Sequence, residues 1–192
     1  MAFGDDVARS RAERAALVFL RQAAEETDGA MERHAMRVFL IGERMAKERE
    51  LVFDREIALC ASLLHDVGIF DTGSRSLRYI NDGREVAHNV LGRVLDEARL
   101  AECLEAIARH HHVRSQWDRG VEIELLRRAD MLDGFPVLVR TTLEHGWLRD
   151  LFRRLPRGGM YRQFLPPRRL VRVLPFVLLS LVNAVRFAVR PA

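Results

Sequence analysis

The sequence predicts an all-α protein, a compact single-domain helical bundle. Apolar residues recur at three- and four-residue spacing along most of the 192-residue chain. No stretch alternates apolar and polar residues long enough to make a strand. Apolar residues make up 48% of the chain against 30% charged, which fills a core, keeps the surface wet and excludes a disordered chain.

The elements follow in order. Residues 5–26 place Val7, Ala15, Val18, Phe19 and Ala23 on one helical face, with Asp5 or Asp6 as the N-cap. Thr27-Asp28-Gly29 ends that helix. A second helix, 30–48, turns His34, Val38 and Ile41 or Met45 inward. A third starts at the N-cap Asp54 and runs to Asp66 with Ile57, Ala61, Leu64 and His65 inward, and Gly68 stops it. Residues 69–82, with Gly73, two serines, Asn81 and Asp82, read as a loop. Further helices are predicted over 84–97, 99–112 and 121–132.

Beyond Pro136 the pattern continues as shorter helices broken at 156–159 and at Pro166-Pro167. The most apolar stretch is VLPFVLLSLVNAV, 173–185, bracketed by Arg172 and Arg186. It is shorter than the roughly 20 residues a bilayer span needs. It reads as a helix packed on the core, with a membrane-surface helix or a dimer contact as the sharper alternative.

Charge is unevenly spread. Residues 131–192 hold eleven arginines, no lysine and three acidic residues, a net of +8, so residues 1–130 carry −4 of the overall +4. The basic part reads by default as a solvated arginine-rich surface and could also face a small anionic substrate. Nucleic acid or a membrane surface are less favoured partners, and a homo-oligomer is left open. The N-terminus lacks the apolar run of a secretory signal. Cys60 and Cys103 form no CxxC pair and read as buried thiols in a reducing compartment, so the expected location is the cytoplasm.

The chemistry lies in the histidines and aspartates. Six of the seven histidines fall between residues 34 and 112, spread over several predicted helices. Ligands 20–30 residues apart on separate helices are what a bundle needs to converge on one ion. Imidazole with carboxylate and no thiolate suits a catalytic Mn, Fe, Co, Ni, Zn or Mg site rather than a structural zinc. In AIARHHHV, Leu104 and Ile107 mark the buried face; His110 and His111 share it, His112 points sideways, and His110 is the first choice as ligand.

His34, then His65-Asp66 within ASLLHDVG, then Asp130 within LLRRADMLDG resembles the HD superfamily of metal-dependent hydrolases over about residues 30–135. The resemblance implies an all-helical core with His34, His65, Asp66 and Asp130 as ligands of one divalent metal. Residues 136–192 then form an Arg-rich helical extension. His88 in EVAHNVLGRVLDEA and the triplet His110-His111-His112 are similar to the extra histidines of members that hold two ions with the aspartate, here Asp66, bridging. His65-Asp66-Val67-Gly68-Ile69-Phe70 lacks the lysine or histidine found there in many two-metal members, and VRSQWDRG after the triplet lacks the GYP of cyclic-di-GMP hydrolases.

The implied activity is hydrolysis of a phosphate ester of a nucleotide or another small phosphorylated molecule. Asp66 would hold the metal and orient water beside His65, and Arg109 or Arg114 would neutralise the phosphate. The same ligands are similar to those of di-iron oxygenases such as inositol oxygenase and the phosphonate-cleaving oxygenases. HDVGIFD with YINDGREVA is loosely similar to proteins near cyanamide hydratase. A non-catalytic helical binding module is the remaining class; no RNA-recognition aromatic motif or helix-turn-helix is present. Asp133, one helical step from Asp130, reads as a partner of a ligand or a cap. Trp117 and Trp147 read as core, and His145 as a surface or C-terminal cap residue.

Overall fold

The computed structural model describes residues 3–70, 79–136, 139 and 141–159, with seven further positions between 170 and 182. Among the described residues there are eight α-helices and no strand: α1 (Phe3–Val7), α2 (Arg11–Ala23), α3 (Ala30–Glu48), α4 (Arg55–Leu64), α5 (Tyr79–Leu91), α6 (Glu97–Arg109), α7 (Val121–Gly134) and α8 (His145–Arg154). Short 3₁₀ turns at Glu25–Thr27 and Val67–Ile69 join them. The all-α expectation holds.

The first predicted helix is two. Ser10 accepts from the Glu13 amide at 3.0 Å, and the Glu13 carboxylate accepts from the Ser10 amide at 2.9 Å. This reciprocal capping box starts α2 afresh. The inner face shifts with it, to Ala12, Glu13, Ala16, Leu17 and Leu20, and Val18 is left exposed. α3 matches its predicted span. It starts where Asp28 and Gly29 both take left-handed backbone, φ 48° and 69°.

α4 is the central rod. Every residue from Leu59 to Leu64 is buried, and it packs on α2, α3, α5, α6 and α7. Its N-cap is Asp54, as the sequence indicates, accepting from the Ile57 amide at 3.1 Å. A helix apolar all round belongs inside. Both cysteines are free and buried.

α5 begins at Tyr79, inside the stretch predicted as loop, and ends at Leu91, six residues early. A tertiary contact overrides Asn81, Asp82 and Gly83. The turn at Gly68 packs so tightly on α5 that a Cβ there would meet the Tyr79 carbonyl oxygen at 1.9 Å and the Gly83 nitrogen at 2.6 Å. Only glycine permits that approach. Predicted loop residues 71–78 and the Pro166-Pro167 break lie outside the described residues.

Past α7, Val139, Leu143, Leu148, Leu151 and Leu155 join the same apolar core as the preceding helices. The backbone after α8 is tied to α3: Arg37 donates to the Leu155 carbonyl at 3.0 Å, and Arg33 to those of Pro156 at 3.1 Å and Gly158 at 3.3 Å.

Candidate metal centre

Two helices end at the same place. α4 stops at Leu64 and α6 at Arg109, and the next residue of each is a histidine, His65 and His110. The last carbonyls of a helix have no partner in the helix. His65 donates from Nδ1 to the Ser62 carbonyl at 2.8 Å, and His110 from Nδ1 to the Ile107 carbonyl at 2.7 Å. Each bond satisfies an orphan acceptor and fixes a tautomer, leaving the Nε2 lone pair free. Two negative helix ends aimed at one point favour a cation there.

His34, in the first turns of α3, is fixed the same way by a side chain. Its Nδ1 donates to Asp133 at 2.8 Å, and Asp133 in turn accepts from Arg37 Nε at 2.6 Å and Nη2 at 2.8 Å. Arg37 and Asp133 are fully buried. The sequence suggested Asp133 as a partner of a ligand; Arg37, one turn from His34, it did not.

The free nitrogens converge. His34 Nε2 lies 3.2 Å from His65 Nε2. Each sits 3.4–3.6 Å from Asp66 Oδ2 and Asp130 Oδ1. Donors about 2.1 Å from one ion in a tetrahedral arrangement stand about 3.4 Å apart, so these residues fit a first-row divalent metal. Asp66 Oδ1 is buried without a hydrogen-bond partner and points to His110 Nε2 at 3.7 Å. A bare buried carboxylate oxygen is costly unless a cation meets it. Among the described residues, the groups able to hold an ion are His34, His65 and Asp66; His65, His110 and Asp130; and Asp66, His110 and His111.

Electrostatics agree. Arg37 offsets Asp133, so Asp66 and Asp130 leave two uncompensated charges when the imidazoles are neutral. Burial opposes charge on His34, but Asp133, Asp66 and Asp130 outweigh it and lift its pKa to about 10. Without a metal, a proton fills that demand. Burial, then His111 and His65, push His110 down to about 3. Burial raises the Asp66 carboxyl, yet the histidines hold it well below the usual range; Asp130 moves the same way.

The floor is closed and the mouth narrow. His34, His65 and His110 are almost fully buried, whereas the side chains of Asp66, Asp130 and His111 keep 12–15% exposure. Tyr79 stands beside this mouth with its hydroxyl 2.5 Å from His111 Nε2 and 3.4 Å from His110 Nε2. Sequence reasoning missed it, because its signal is the tertiary contact at Gly68 rather than any local pattern.

Other residues singled out in the sequence stand outside these ligand groups. His88 is exposed on the outer side of α5, one residue past the buried Ala87, and belongs to none of the three ligand groups. Arg109 is held by Glu105 and by Gln116 at 3.1 Å. Arg114 is exposed. His145 opens α8 rather than closing a helix. Trp117 is half-buried, under the guanidinium groups of Arg49 and Arg128.

A helical core that gathers imidazoles and aspartates from α3, α4, α6 and α7 around one polar point defines a class of metal-binding, all-α hydrolase folds. The chain belongs to the HD domain family, whose match covers residues 31–134. That superfamily consists of metal-dependent hydrolases. No match to the chain was found among curated proteins.

Proposed function

We propose that the protein is a metal-dependent phosphohydrolase acting on a nucleotide or another small phosphorylated molecule. The observation that carries this is the set of three Nδ1-anchored imidazoles facing Asp66 and Asp130, with Asp66 Oδ1 left bare. A divalent cation held there supplies a Lewis acid for a phosphoryl oxygen and lowers the pKa of water. His34, His65, Asp66 and Asp130 hold it. The buried floor keeps bulk water out, so substrate enters between Asp66, Asp130 and His111. At that mouth Tyr79 and His111 offer a hydroxyl and an imidazole to a phosphate oxygen. Arg109, just before the mouth histidines in sequence, and Arg114, just after them, are assigned to the phosphate's outer side.

The test is turnover of a phosphate-ester panel by metal-loaded protein. Hydrolysis of at least one ester, abolished in Asp66→Ala, is expected. Hydrolysis unchanged in that variant would sink the reading.

Asp66 also favours a second reading. Its Oδ2 faces His34 and His65 while Oδ1 faces His110. In that reading a second ion would be held by Asp66, His110 and His111, without His88. Two equivalents of bound iron and oxygen uptake with an organic substrate would move the protein to the oxygenase branch.

A further inference from the structure

We propose that Tyr79 limits the centre to one ion by withholding His111 from a second. The inference rests on the metal-centre reading above and concerns how many cations its donors accept. Asp66, His110 and His111 form the group that could hold a second ion. Asp66 Oδ1 and His110 Nε2 face each other at 3.7 Å and draw a cation. His111 is the member that is taken. Its Nε2 shares a hydrogen bond with the Tyr79 hydroxyl at 2.5 Å.

Both tautomers of His111 lead to the same result. With the proton on Nε2, that nitrogen donates to the tyrosine oxygen and has no lone pair for a metal. With the proton on Nδ1, the Nε2 lone pair accepts from the hydroxyl and is spent there. The other ring nitrogen, Nδ1, faces Asp130 Oδ2 at 3.9 Å. Nor can the tyrosine oxygen and His111 Nε2 share an ion. Donors on one metal stand about 3.4 Å apart, and these two are 2.5 Å apart. In His34, His65 and His110 the anchoring bond is made by Nδ1 and leaves Nε2 for a metal. In His111 Nε2 itself makes it.

The hydroxyl is held in place. Tyr79 opens α5, is 2% exposed and packs with Ile69 and Ile80. Its carbonyl oxygen lies against Gly68, where a Cβ would meet it at 1.9 Å. From that seat the hydroxyl also stands 3.4 Å from His110 Nε2, beside the second donor that a further ion needs. A second cation has to break the Tyr79–His111 bond in a buried place, where a polar group left unpaired is costly. Asp66 and His110 alone are two donors, fewer than the three protein ligands of a catalytic site that keeps an open position.

The experiment is equilibrium dialysis of the full chain against Mn(II), with electron paramagnetic resonance of the bound ion. Wild type should hold one equivalent with the signal of an isolated ion. Tyr79→Phe keeps the ring and drops the hydroxyl, and should hold two equivalents with the signal of a coupled pair. Tyr79→Phe/His111→Ala should return to one, which a role of Tyr79 in packing alone would not produce. His111→Ala by itself should keep the single equivalent, and it carries the test should Tyr79→Phe fail to fold. The proposal is overturned by two equivalents in wild type, by one in folded Tyr79→Phe, or by loss of the ion in His111→Ala. Wild type that binds no manganese would instead overturn the metal-centre reading, and this inference with it.

Discussion

Two of the carboxylates that helix α7 buries, Glu124 and Asp133, lie about two and a half turns apart, on opposite sides, and do different work. Glu124 is fully enclosed and fully answered: Arg127 approaches through Nε at 2.7 Å and Nη2 at 2.6 Å, Arg128 at 2.7 Å, and the Gln116 amide at 2.7 Å. Arg127 also donates to the His112 carbonyl at 3.1 Å, fastening the turn after α6. Asp133 is equally buried, but one of its partners is His34, whose other nitrogen faces the site. The first network closes on itself, and the second opens onto donors that want a cation. A closed network holds the fold, while an open one passes its order to a ligand.

The sharpest way to separate the two is to break each. Glu124→Gln removes the charge that balances the buried Arg127, and loss of one member of a buried pair costs about 3–5 kcal/mol. A large fall in unfolding free energy is expected in denaturant titration, with the His34–His65–Asp66 group still binding metal in the folded protein. Asp133→Asn breaks the buried Arg37 pair at a comparable cost to the fold and, unlike Glu124→Gln, also reaches the ion. His34 loses its charged anchor, so metal affinity should drop about 10–100-fold, read by competition against a chelator.

A third contrast is in pH. In the metal-free protein His34 carries a proton with a pKa of about 10, and a metal must displace it. Affinity should therefore rise about tenfold per pH unit from neutrality up to that value. Calorimetry in buffers of different ionisation enthalpy should find one proton released by His34. The folding contribution has the opposite sense: a raised folded pKa stabilises metal-free protein below the unfolded value of 6.5, and the gain fades as pH rises through 10. Glu124, held below its ordinary value chiefly by Arg127 against the opposing effect of burial, adds no proton to metal binding.

Much of this centre was legible in the chain. His65-Asp66 ends a helix whose inward stripe is strongly periodic, and His34 stands on a stripe of the same kind, so pattern oriented them, whereas Asp130 was singled out by the family resemblance. Tyr79 was hidden because Asn81, Asp82 and Gly83 speak for a turn, and the Gly68 contact that makes them helical is long-range. His88 was named by the resemblance rather than by a pattern: the buried face of α5 runs through Gly83, Ala87 and Leu91 and leaves His88 exposed. Arg37 escaped notice because an arginine on an inner face reads as an error of phase until its carboxylate, 96 residues away, is seen.

The most direct test of the central claim is elemental analysis of protein purified without added metal, beside His34→Ala and His88→Ala. Bound divalent first-row metal that is lost in His34→Ala and retained in His88→Ala is the predicted result. Metal retained in His34→Ala, or lost equally in His88→Ala, would contradict it.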